Sequence, residues 1–246
     1  MTTEVRFAAV EAGGTTFVVA IAEGDPTNII ERAEFPTSTP GAVLSNVVGW
    51  LKTRKFDSLG VASFGPIDLH SNSPRYGFIT TTPKPGWRNT DVLGPIRSGL
   101  NLPNDFPVGF DTDVNAPAMA EYEQESGTGL TSCVYVTVGT GVGVGLVFNG
   151  KPLHGLLHGE GGHISVPVYP CSNERGGIKE RSYSLKCPTW FELESMCNSA
   201  ALAASAECNV GDLKNLQDDH PVWDEAAHYL ACLCANLVSV VRAMRR

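Results

Sequence analysis

The stretch Glu11-Ala12-Gly13-Gly14-Thr15-Thr16 separates two apolar, β-rich runs, Val5–Val10 before it and Phe17–Ala22 after it. Adjacent glycines let a backbone turn sharply and approach a ligand closely, and consecutive N–H groups there can cradle an anion. The threonine hydroxyls add donors. An ordinary glycine hairpin satisfies the same residues, so both readings stand at this point. No Gly-Lys-Ser/Thr follows, and the segment is therefore not a P-loop. Outward from the turn, Gly24-Asp25-Pro26 leads into a third strand, Ile29–Phe35. Val43, Leu44, Val47, Val48 and Leu51 then recur at helical spacing. Leu59–Phe64 reads as a strand ending at Gly65-Pro66, and Ile67 to Arg88 reads as loop.

A second half repeats the theme. Val108–Phe110 is a short apolar strand closed by Asp111-Thr112-Asp113, and Pro117 suits the first turn of the helix that follows. Cys133–Val138 and Val142–Phe148 are strands around Thr137-Val-Gly-Thr-Gly-Val-Gly143. Helical spacing returns after Pro188 and again after Pro221, where Trp223, Ala227, Leu230, Cys234, Leu237, Val241 and Met244 form one stripe. Periodicity alone gives an α/β protein. Two glycine turns, each joining apolar strands and able to pinch a triphosphate from opposite sides, point further. They fit an actin-like ATPase fold, two ribonuclease-H-like lobes with a nucleotide and sugar cleft between them. The lobe boundary is expected in the Asp111–Glu125 region, giving residues 1–112 and 113–246.

Composition narrows the function classes. The chain has 246 residues, 42% hydrophobic and 18% charged, with net charge −8 and no basic run longer than Arg245-Arg246. A nucleic-acid partner is therefore not expected. No stretch approaches eighteen apolar residues, so no membrane span is expected. Nothing at the N-terminus resembles a secretion signal. Seven cysteines at irregular spacing read as reduced, mostly buried residues of a cytoplasmic protein.

Two segments carry chemistry. Asp113, at the end of a strand and the start of a helix, suits a general base, and it equally suits a helix N-cap. His158-Gly-Glu-Gly-Gly-His163 packs imidazoles and a carboxylate into a glycine-rich turn. Glu160 and His163 there could bind sugar hydroxyls or a metal, or simply be exposed loop residues.

Together these motifs resemble one family. Glu11–Thr16, Ser63-Phe-Gly-Pro-Ile-Asp68, Tyr76–Trp87, Thr112–Ala118, Gly139–Gly143 and Gly159–His163 occur in the order seen in the ROK family of sugar kinases, its fructokinase branch above all. The resemblance implies transfer of a phosphoryl group from ATP, with Mg²⁺, to a hexose such as fructose. Asp113 would be the base. Gly13, Gly14, Thr15 and Thr16 would hold phosphates from one lobe, and Gly139, Thr140, Gly141 and Gly143 from the other. Glu160, His163 and Glu194 would bind the sugar. A homodimer is also implied. The ROK repressors carry a DNA-binding segment ahead of this fold, and a first strand beginning by Val5 leaves no room for one.

Two departures from the family pattern qualify the expectation. Relatives hold a structural zinc through a His and a Cys-rich loop. Here His163, Cys171 and Cys187 are at hand, but Glu174 and Lys179 stand where further ligands belong. A three-ligand remnant completed by Glu or His158 and a degenerate loop are both open. The family also continues past the helix ending near Met244 into an adenine-binding Gly-Gly-Gly turn. The second lobe is accordingly expected to be incomplete, which raises a non-catalytic sugar-binding protein as the alternative.

Overall fold

A computed structural model describes residues 4–125, 129–155, 158–167, 169 and 190–243. Strands β1 (Arg6–Ala12), β2 (Thr16–Glu23) and β3 (Ile29–Pro36) form an antiparallel meander, followed by α1 (Pro40–Leu51) and β4 (Ser58–Ser63). A small hairpin-like pair, β5 (Phe78–Ile79) and β6 (Thr90–Asp91), precedes α2 (Leu93–Gly99) and β7 (Val108–Thr112). Next come α3 (Asn115–Gln124), β8 (Ser132–Val138), β9 (Val142–Phe148) and β10 (Lys151–Pro152). The chain closes with β11 (Ser165–Pro167), β12 (Trp190–Glu192), α4 (Leu193–Cys197), α5 (Ser199–Ser205) and α6 (Pro221–Ala243).

The first sheet has the order β3-β2-β1-β4-β7, with β1 antiparallel to β2 and parallel to β4, and β4 parallel to β7. Its register places Ala12 beside Ser63 and Ser63 beside Thr112. The ladder runs one residue further: Phe64 N–H donates to the Ala12 carbonyl at 2.8 Å, and Asp113 N–H to that of Ser63 at 3.0 Å. The first glycine turn, the cis Gly65-Pro66 bond and Asp113 therefore share one edge, at the carboxyl ends of the parallel strands. That edge is where open α/β sheets bind ligands.

Alternation in β2 sends Phe17, Val19 and Ile21 inward, against Val43, Leu44, Val47 and Leu51 of α1. The long loop contributes Trp87, only 1% exposed. Its indole N–H donates to Ser38 O at 3.0 Å, and its ring sits 5.5 Å from Phe17 and 5.2 Å from Phe64. A separate core gathers Val142 and Val144 of β9 with Leu193, Met196, Tyr229 and Leu233.

The stripe expected on α6 is displaced. Val222, Ala226, Tyr229, Leu233 and Leu237 are the buried apolar residues, Leu237 alone of them belonging to the expected stripe, whereas Ala227 and Cys234 face solvent and Trp223 and Leu230 flank the core. Two apolar stripes run along this helix one residue apart, a rotation of about 100°. Tyr229, whose hydroxyl also accepts from Tyr169 N–H at 3.3 Å, belongs to the stripe that packs. The Val241 side chain and Met244 lie outside the described residues. Among the described residues, no helix is long and apolar enough to cross a membrane.

Candidate active site

Gly13 N–H donates to Thr16 O at 3.0 Å and closes the first turn. Thr37 braces it from outside, its N–H donating to Thr15 O at 2.9 Å and its hydroxyl to Gly13 O at 2.7 Å. A Cβ on Gly13 would lie 2.7 Å from Thr16 O, so the turn itself demands that glycine. A Cβ on Gly14 would meet nothing within 4 Å. That position and Thr15 are exposed, which leaves room for a ligand against bare backbone.

The second turn is held from beneath. Gly139 N–H donates to Gly141 O at 2.8 Å, Ser199 N–H to Gly139 O at 2.8 Å, and Val142 N–H to Glu194 Oε2 at 2.8 Å. Gly139 is as open as Gly14, and Thr140 stands exposed at the tip. Gly143 is different. It lies within β9, where a Cβ would come 2.5 Å from Val114 Cγ1, and at Gly145 one would come 2.0 Å from Val114 O. These two glycines let α3 press against the sheet, which gives Gly143 a packing reason of its own. Glu194, expected with the sugar ligands, is tied through Oε2 to the glycine turn.

Asp113 is half-buried beyond the end of β7. Burial, reinforced by the charge of Glu11 and to a lesser degree Glu160, raises its carboxyl from 3.8 to about 6, against a lowering by its own backbone N–H. Just ahead of α3, whose N-cap residue is Val114, Thr112 Oγ1 accepts from Asn115 N–H at 3.0 Å.

Two of the three glycines of His158–His163 also have a packing reason, while a Cβ on Gly159 would meet nothing within 4 Å. A Cβ on Gly162 would fall 1.8 Å from Val142 O, and one on Gly161 2.8 Å from Val144 Cβ, so the 3₁₀ turn Gly161–His163 lies directly on β9. Glu160 and His163 are both exposed, and Glu160 is near enough for its charge to act on Asp113. His163 Nδ1 is 2.5 Å from Glu192 Oε1. Burial would lower the pKa of His163, but the Glu192 bond and the charges of Glu194, Glu192 and Glu160 outweigh it and raise the value. In His158 burial prevails and lowers it, despite Glu160 and Asp111.

Glu11, Glu192, Asp111, Asn115 and His154 were not singled out from the sequence. Glu11 was legible in principle, because parallel β1, β4 and β7 bring position 11 level with position 111. The others meet only through tertiary structure. Of the expected zinc ligands, Cys171 and Cys187 lie outside the described residues. Among those described, no group of three or more His, Cys, Asp or Glu side chains is placed to hold a metal.

A depression of about 720 Å³ lies at the opposite end of the first sheet, lined by Arg6, Asp57 and Phe106 among others, and holds none of the motif residues. A smaller one, about 240 Å³, adjoins the site between Val144, Leu153, His154 and His158.

Solved structures of other proteins share this fold. The hexokinase of Thermus thermophilus superposes with a TM-score of 0.66 at 21% identity, over 96% of this chain and 78% of that one. A ROK family glucokinase from Streptomyces griseus, solved with glucose and AMPPNP, gives 0.66 at 18% identity over 96% and 80%. These likenesses show the fold, that of the actin-like ATPases. Residues 7–244 match the ROK family as a whole. In sequence, the fructokinase of Lactococcus lactis subsp. cremoris is 36% identical over 233 residues, covering 94% of this chain and 74% of that protein. The chain belongs to the ROK family.

Proposed function

We propose that the protein phosphorylates a hexose with ATP, fructose being the preferred acceptor, and that Asp113 is the general base. The observation that carries this is a half-buried carboxylate raised to about 6, set at the sheet edge that carries the first glycine turn and feeling the charges of Glu11 and Glu160. A base of that strength is largely ionised at neutral pH yet still basic enough to take a proton. As the sugar oxygen bonds to the γ-phosphorus and ADP departs, the hydroxyl proton passes to Asp113. Phosphoryl transfer of this kind depends mainly on positioning and charge neutralisation.

The open backbone at Gly14 and Gly139 fits phosphate groups, which Gly13–Thr16 would bind from one side and Gly139–Gly141 from the other. Mg²⁺ carried with the nucleotide supplies neutralisation of the phosphate charge. Glu160 and His163 would orient the sugar, with His163 steadied by Glu192. We take residues 1–112 and 113–246 as the two lobes, a division supported by two hydrophobic clusters that share no residue. Fructose is favoured because the Lactococcus relative is a fructokinase. The test is kcat/KM for fructose, glucose and mannose at saturating Mg-ATP. A higher value for fructose supports the assignment, and preference for an aldohexose refutes it. Sugar binding without turnover would favour the non-catalytic alternative.

A further inference from the structure

Asp111 is the hub of a polar cluster that joins the base-bearing strand to the sugar loop. Its Oδ1 accepts from Thr112 N–H at 2.7 Å and from Asn115 Nδ2 at 2.8 Å. Its Oδ2 accepts from His154 Nε2 at 3.1 Å. Asn115 is fully buried, and the same Nδ2 approaches His158 Nδ1 at 3.5 Å. An isolated antiparallel bridge pairs His154 with His158, which lies two residues before Glu160. Asp111 itself lies two residues before Asp113.

We propose that Asp111 is a positioning residue, clasping the His154–His158 loop to β7 and α3 and so fixing Glu160 and His163 relative to Asp113. The inference rests on the sugar-kinase reading above. The Asn115 arm is shielded from water and gives the clasp its rigidity. The His154 arm is partly open, with 34% of its side chain exposed, and is individually weaker. Small misplacements of reacting groups cost rate steeply, on the order of a hundredfold for about 1 Å. The clasp touches no part of either glycine turn, so its loss is confined to the sugar side.

The experiment compares Asp111→Ala, Asp111→Asn and His154→Ala with the parent protein in steady-state kinetics, with each substrate varied in turn. Hydrogen exchange of the ligand-free proteins is followed in parallel. Asp111→Ala is expected to lower kcat/KM for sugar by roughly a hundredfold, and His154→Ala by roughly fivefold, with the KM for ATP unchanged. Asp111→Asn keeps a carbonyl acceptor for Thr112 and Asn115 and is expected to recover most of the loss. Amides of Gly159–His163 are expected to exchange faster in both alanine variants, with Gly139–Val142 unaltered. An Asn variant as impaired as the Ala variant would show that charge, not position, matters, and the proposal would fall. It would fall equally if ATP and sugar constants worsened together, or if exchange in Gly159–His163 were unchanged. A parent protein without turnover would refute the sugar-kinase reading, while the exchange data would still decide whether the clasp exists.

Discussion

Asp113→Asn removes a negative charge from a half-buried position that feels Glu11 and Glu160, while keeping the side chain's shape. Raising the carboxyl from 3.8 to about 6 means that ionising it in the folded protein costs about 3 kcal/mol more than in the unfolded chain. Solvent reaches this position, and screening reduces the realisable part to about 1–2 kcal/mol. The folded pKa lies above the unfolded one. The associated stability is therefore full below the unfolded value and is lost as pH rises through about 6. The Asn variant escapes that loss. It is expected to melt about 2–6 °C above the parent at pH 7.5, the difference closing towards pH 4. Turnover falls about 10²- to 10⁴-fold in the same variant. Thermal unfolding by circular dichroism at the two pH values, alongside ADP release, measures both. An Asn variant less stable than the parent at pH 7.5, or a gain independent of pH, would refute the electrostatic reasoning.

Further outcomes follow from the same geometry. The acid limb of kcat/KM against pH is expected near pH 6, activity rising as Asp113 ionises; a limb below pH 5 would contradict the raised carboxyl. Gly14→Ala and Gly162→Ala should separate binding from folding. The first adds a methyl group to open space and is expected to raise the KM for ATP with little change in melting temperature. The second drives a Cβ to 1.8 Å from a backbone oxygen and is expected to destabilise the fold, as thermal unfolding would show. Trp87→Ala empties a site packed by Phe17 and Phe64 and is expected to cost about 3–5 kcal/mol in denaturant unfolding.

Much of the first sheet was legible because its strands are apolar runs bounded by glycine and proline. The expected Val5–Val10, Phe17–Ala22 and Ile29–Phe35 became Arg6–Ala12, Thr16–Glu23 and Ile29–Pro36. The pairs β5–β6 and β11–β12 were not, since two- and three-residue strands carry no period of their own. On α6 the sequence offers two stripes, and only the partner surface chooses between them. Glycines showed the same limit. Gly14 and Gly143 look alike in sequence, yet one faces open space and the other Val114. The Asp111 cluster depends on contacts 43 residues apart, which no local pattern announces.

The most direct test of the account is ADP formation with fructose, Mg²⁺ and ATP, comparing the protein with its Asp113→Asn variant. The account predicts sugar-dependent turnover that the variant loses while remaining folded by circular dichroism. Undiminished turnover in the variant would contradict the assignment of Asp113 as base, and a folded parent protein without turnover would contradict the proposed activity.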